Sequence, residues 1–228
     1  MKIDVLDNAD MVAQKAASII AGEARKSVAL RGLFIIAVSG GKTPWKMLRA
    51  LADEDVPWEG IQILQVDERL APEGHPDRNM THLCENLLGH SPLLPEKIHA
   101  MKVEDKDPEA AAASYAGTIR KIAGSPPVID LIHLGLGPDG HTASLVPGDP
   151  VLDVTDRDVA STGIYQGRRR LTLTYPIINR ARKILWLITG SEKKEMLKRL
   201  LEKDLSIPAG HISQEQAMVL ADKDAANR

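Results

Sequence analysis

The chain has almost no cysteine, no charge excess and no long apolar run. Its one cysteine, Cys84, leaves 228 residues without an internal disulfide or a thiolate-rich metal site. Lysine and arginine total 29, aspartate and glutamate 31, and the net charge is −2. That balance gives no electrostatic footprint for nucleic acid or an anionic membrane. The longest apolar stretch near the N-terminus, Leu33 to Val38, is far short of the roughly 20 residues that span a bilayer. Met1 to Asp10 reads MKIDVLDNAD, with acids where a secretory leader would be apolar. His75, His82, His90, His99, His133, His141 and His211 show no metal-ligand spacing such as HExxH, so no metal site is expected. Repeats, low-complexity tracts and long linkers are absent as well. With 43% hydrophobic and 26% charged residues, the sequence reads as an ordinary globular chain. A cytoplasmic protein with a single domain over residues 1–228 is expected.

What is present is an alternation of strands and helices. Met11, Val12, Ala16, Ile19 and Ile20 recur at helical spacing, predicting a helix over Asn8 to Arg25 capped by Asp7 or Asn8. Leu33 to Val38, Ile61 to Val66, Val128 to Leu134 and Lys183 to Thr189 are continuous apolar runs, the pattern of strands buried on both faces. Arg170 to Tyr175 alternates like a strand, and a last short one is expected at Ala217 to Leu220. Pro44 suits the first turn of a helix carrying Trp45, Leu48 and Leu51. Asp107-Pro108-Glu109 opens an alanine-rich helix to about Ile122, which Gly124-Ser125-Pro126-Pro127 ends. Ser191 is expected to cap a charged helix running to Lys203. Buried strands separated by helices predict an α/β fold, Rossmann-like, with a mostly parallel sheet and helices on both faces. Ligands of such sheets bind outside the carboxyl ends of the strands.

Four polar clusters sit at such ends. Ser39-Gly40-Gly41-Lys42-Thr43 leads into a helix and is either a tight turn or a phosphate cradle of backbone N–H groups, with a hydroxyl from Thr43 and a charge from Lys42. It is not a Walker A loop, because Ile36 stands where that motif needs glycine. Asp67-Glu68-Arg69 is a solvated strand end, or it points Asp67 and Arg69 the same way if the strand continues. Gly135-x-Gly137-x-x-Gly140 has the letters of a dinucleotide fingerprint, but Pro147 and Gly148-Asp149-Pro150 leave no room for its helix. What is left is a glycine-rich loop carrying Asp139 and His141, either a structural histidine or a general base. Gly190-Ser191-Glu192-Lys193 puts Lys193 in the first turn of a helix, where a cation is unfavourable unless an anion binds there. Of Arg168-Arg169-Arg170, one arginine is a candidate for a phosphate and the others read as a solvated cluster.

Together these segments resemble the 6-phosphogluconolactonase family. The pieces are Ser39 to Pro44, Val66 to Arg69, Asp77-Arg78-Asn79, Gly135 to Leu145, Arg170 to Thr174 and Gly190 to Lys193, in family order. The resemblance implies hydrolysis of 6-phospho-D-glucono-1,5-lactone to 6-phosphogluconate, in the oxidative pentose phosphate pathway, on a fold shared with sugar-phosphate isomerases. It implies no cofactor. The implied partner is a small phosphosugar lactone, without nucleic acid or membrane, and nothing is implied about protein partners. On this reading Gly40, Gly41, Thr43 and Lys193 hold the phosphate, with Ser39, Lys42 and Arg170 beside them. His141 activates water, Arg69 stabilises the oxyanion or orients the sugar, and Asp67 and Asp139 orient His141 or bind hydroxyls. Val146 departs from the family, which often has phenylalanine there. The same position separates the chain from glucosamine-6-phosphate deaminases, which carry a glutamate five residues after the histidine. A non-catalytic sugar-phosphate sensor is the remaining alternative. Such a regulator normally adds a helix-turn-helix segment, and the sheet pattern here starts by Leu33, after one helix.

Overall fold

The computed structural model describes residues 1–105 and 107–226. Its main sheet has seven strands, all parallel: β1 (Lys2–Leu6), β2 (Phe34–Val38), β3 (Ile61–Gln65), β5 (Ile98–His99), β6 (Leu131–Leu134), β9 (Ile184–Ile188) and β10 (Ala217–Asp222). Their order across the sheet is β1-β10-β9-β6-β2-β3-β5. A second, antiparallel sheet consists of β4 (Asp67–Arg69), β8 (Arg170–Leu173) and β7 (Val159–Ser161), in that order.

Both faces of the main sheet are covered, which is why its central strands are continuous apolar runs. Phe34, Ile36 and Val38 of β2 point into one core with Leu185 and Leu187 of β9. Ile35, Ala37, Ile184, Trp186 and Ile188 point into the other. The first core is closed by α1 (Ala9–Arg31), α2 (Lys42–Ala52) and α3 (Asn79–Asn86). The second is closed by α4 (Pro108–Ala123), α5 (Tyr175–Asn179), α6 (Lys194–Leu201) and α7 (Lys223–Ala226). No helix among the described residues is long and apolar enough to cross a membrane.

Several elements differ from the sequence expectation. Asn8 does cap α1, accepting from the Met11 N–H, but the helix runs past Arg25 to Arg31. Ser27 is buried there and continues the inner face, and Gly32 stops the helix in the left-handed region at φ 72°. Residues 2–6 form a strand that the acids at positions 4 and 7 concealed. Ser191 makes no cap: Gly190 occupies that place, a 3₁₀ turn (Ser191–Lys193) follows, and α6 starts at Lys194. The strand opening at Arg170 ends at Leu173, because Thr174 is the N-cap of a helix that starts at Tyr175, with Pro176 in its first turn. Asp107 caps α4 as expected, accepting from the Glu109 and Ala110 N–H groups.

Candidate active site

Because the seven strands are parallel, the loops after β2, β6 and β9 leave from the same edge of the sheet. The small second sheet stands over that edge. Between them lies a cleft of about 370 Å³, within the range of small-ligand sites. Ser39, Gly40, Gly41, Lys42, Thr43, Asp67, Arg69, His141, Arg170 and Lys193 all line it. Asp139 is the one candidate that stands behind the wall, its carboxylate against His141.

The glycine loop is anchored from below. The Ser39 N–H donates to Nδ1 of His133 and its hydroxyl donates to the His133 carbonyl, so Ser39 braces the loop rather than offering a free hydroxyl. His133 is fully buried on β6, and burial pushes its imidazole down to about 3, which keeps it neutral. Gly41 sits at φ 131°, a conformation for glycine, at the N-cap of α2. No side chain caps that helix, and its first residues Lys42 and Thr43 face the cleft. Thr43 shares a hydroxyl–hydroxyl hydrogen bond of 2.7 Å with Thr189, joining the β2 and β9 loops.

Asp67-Glu68-Arg69 continues as β4, so alternation sends Asp67 and Arg69 to the cleft and Glu68 away from it. Glu68 is completely buried and accepts from the backbone N–H groups of Arg69, Asn79 and Met80 and from the Gln65 amide. It also pairs with the buried Arg78 at 3.1 Å. This hub fixes β4 and the start of α3. Asp67 accepts from the Ser144 hydroxyl at 2.6 Å and from the Asn79 amide at 3.3 Å.

Arg69 and Arg170 lie directly opposite each other in the β4–β8 ladder. Like charges so placed repel unless an anion lies between them. Burial pulls the Arg170 guanidinium below its ordinary range, Asp67 opposing and Arg69 adding to the effect. The Arg69 and Arg170 Nε atoms are both buried without a hydrogen-bond partner among the described residues. Neighbouring arginines are spent elsewhere: Arg168 pairs with Asp77 at 2.8 Å, and Arg169 donates to the Thr162 carbonyl and the Ser161 hydroxyl. Lys42, Arg69, Arg170 and Lys193 therefore set four cations against Asp67 and Glu192 in the cleft wall. The site is built for an anion.

The Gly135–Gly140 loop turns tightly, with Gly140 N–H donating to Gly137 and Gly137 N–H donating to His141. No helix follows it, only a turn closed by a Thr142–Leu145 bridge. The turn sets Nδ1 of His141 2.5 Å from Asp139 Oδ1, which also accepts the His141 backbone N–H. Partial burial pushes the Asp139 carboxyl up. The His141 backbone and ring and the Tyr165 hydroxyl outweigh that, and it lies below its ordinary 3.8. An ionised Asp139 fixes the tautomer with the proton on Nδ1, leaving Nε2 as the basic atom. Among the described residues no group of three or more histidine, cysteine or acidic side chains could hold a metal ion.

Sequence reasoning missed Tyr165, whose hydroxyl donates to Asp139 Oδ2 at 3.0 Å. It also missed Ser144, which links Asp67 to Arg170. Tyr165 had one visible signal: an aromatic between Gly163 and Gly167 in a chain with 3% aromatics.

A family described as glucosamine-6-phosphate isomerases/6-phosphogluconolactonase matches residues 7–221. The chain belongs to this family. A 6-phosphogluconolactonase of Synechocystis sp. is 39% identical over 86% of this chain and 83% of its own length. One from Nostoc sp. is 32% identical over 98% and 95%. The solved 6-phosphogluconolactonase from Trypanosoma cruzi superposes with a TM-score of 0.89 at 25% identity, covering 100% of this chain and 96% of that one. A monomeric glucosamine-6-phosphate deaminase shares the fold at 21% identity and a TM-score of 0.84, over 100% and 99% of the two chains. The sheet is therefore common to a lactonase and a deaminase structure.

Proposed function

We propose that this chain hydrolyses 6-phospho-D-glucono-1,5-lactone to 6-phosphogluconate. The observation that carries the proposal is a histidine in the same cleft as four cations, backed by an aspartate on its Nδ1. The relatives named as 6-phosphogluconolactonases support the same substrate. The phosphate lies on the glycine loop, held by Gly40, Gly41, Lys42, Thr43 and Lys193, with Arg170 beside it. His141 Nε2 takes a proton from water as the water oxygen bonds to the lactone carbonyl carbon. Arg69 stabilises the oxyanion. When the tetrahedral intermediate collapses, the bond to the ring oxygen breaks and that oxygen takes the proton back from Nε2. Asp139 holds His141, and Asp67 is left to meet a sugar hydroxyl.

The deaminase reading is disfavoured by Val146, a buried apolar residue where that reaction places an acid. A coupled assay should show 6-phosphogluconate forming faster than spontaneous hydrolysis, with no ammonia from glucosamine 6-phosphate. Ammonia release without lactonase activity would overturn the proposal. The anchor has its own test. Lys193→Ala or Thr43→Ala should raise KM for the phosphorylated lactone by roughly 10- to 100-fold, the size of one charge-assisted hydrogen bond. Unphosphorylated gluconolactone should be affected far less. Equal losses with both substrates would move the phosphate elsewhere.

A further inference from the structure

We infer that Tyr165 is a positioning residue for the reaction, acting through Asp139 to hold the His141 imidazole in its reactive orientation. The inference rests on the functional reading above and extends it to a residue outside the family-like segments.

Tyr165 sits on the hairpin between β7 and β8. Its N–H and the Arg168 N–H each donate to the other's carbonyl, and the two residues between, Gln166 and Gly167, have φ of 51° and 81°. Positive φ at both central positions is the type I′ pattern, whose twist matches that of the flanking strands, so the hairpin is a defined support. The hydroxyls of Tyr115 and Tyr175 donate to backbone carbonyls in the core. Only Tyr165, of the three tyrosines, gives its hydroxyl to a carboxylate.

The contact completes a chain. Tyr165 donates to Asp139 Oδ2, and Asp139 Oδ1 accepts a hydrogen bond from the His141 Nδ1–H. The Asp139 side chain is about one-third exposed, so without the phenol its second oxygen is open to water and its plane is free to turn. The ring is held on two sides. Its edge meets the imidazole at 5.4 Å and 67°, and the Arg170 guanidinium lies 4.9 Å over its face. Burial and the Asp139 charge both push the Tyr165 phenol above its ordinary range, so it remains a donor. The charged groups around the pair are Asp67 and Arg69 on β4, Arg170 on β8, Glu192 and Lys193 after β9, and Lys42 on α2. None of them changes in the variants below.

Tyr165→Phe removes the donor and keeps the ring. It should lower kcat by about 5–30-fold with KM nearly unchanged, the scale of one hydrogen bond to a charged group. Losing the donor returns negative charge to Asp139 and favours the imidazolium. The acid limb of kcat/KM should therefore move to higher pH by about half a unit. The His141 ring titration, followed by NMR in the unliganded full chain, should move the same way. In an Asp139→Asn background the phenylalanine should add no further loss. A folded Tyr165→Phe protein with kcat within about twofold of wild type and an unmoved His141 titration would overturn the inference. So would a full further loss in the Asp139→Asn background. If wild type lacks lactonase activity, the functional reading fails, while the NMR titration still decides whether Tyr165 acts on His141.

Discussion

Replacing His141 with alanine should cut turnover of 6-phosphogluconolactone by roughly 10²–10⁴-fold, the usual scale for losing a general base. The fold should survive the change. His141 stands on a turn at the cleft, its side chain about one-fifth exposed, and among the described residues its ring hydrogen bond goes to Asp139 alone. KM should move little, because the anchoring groups Thr43 and Lys193 belong to other loops. The measurement is kcat and KM after subtraction of spontaneous hydrolysis, alongside a thermal melt. The wild-type rate should also fall on acidification, since only a neutral imidazole accepts the proton. Asp139 would not cause that fall. Its depressed carboxyl keeps its charge, and the stability that charge contributes, until the pH drops through a value below 3.8. A folded variant with near wild-type turnover would return the role of base to Asp67 or Asp139.

The strand-end clusters were legible for a physical reason. A parallel sheet covered on both faces demands unbroken apolar strands, and Phe34–Val38 and Ile184–Ile188 supply them. The polar residues that follow then fall on one edge by topology alone. The second sheet was harder to read. Its strands are three or four residues long, and Asp67 pairs with Thr172 across more than a hundred residues of chain. No local periodicity reports such a pairing. The same limit hid the facing of Arg69 and Arg170, which is a property of register. Asp67 and Asp139 were interchangeable in the sequence, and distance separates them: Asp139 contacts the His141 ring, while Asp67 contacts Ser144 and Asn79. Tyr165 flanks a two-residue turn at the tip of a short hairpin, where hydrophobic patterning carries no information.

The turn that presents His141 makes a second strong prediction, and it comes with an internal control. Gly135 and Gly137 belong to the same loop, and neither has a positive φ, so alanine suits the backbone at both. They differ in what a methyl group would meet. At Gly135 there is nothing within 4 Å. At Gly137 the new carbon would run into Nδ1 of His141 and lie 2.7 Å from Oδ1 of Asp139. Both are side-chain atoms of partly exposed residues, His141 at the cleft and Asp139 behind it, so the imidazole and carboxylate are displaced and the surrounding core stays as it is. A shift of about 1 Å in a reacting group can cost about 10²-fold. Gly137→Ala should therefore lose roughly 10²-fold in kcat or more, with a melting temperature close to wild type. Gly135→Ala should keep turnover within about threefold. The Gly137→Ala loss should add little in a His141→Ala background, because the group it displaces is already gone. If Gly137→Ala turned over like wild type, the seating of His141 against Asp139 would not matter to the chemistry. If both glycine variants lost activity equally, the loop as a whole, and not the histidine–aspartate contact, would be what the reaction needs.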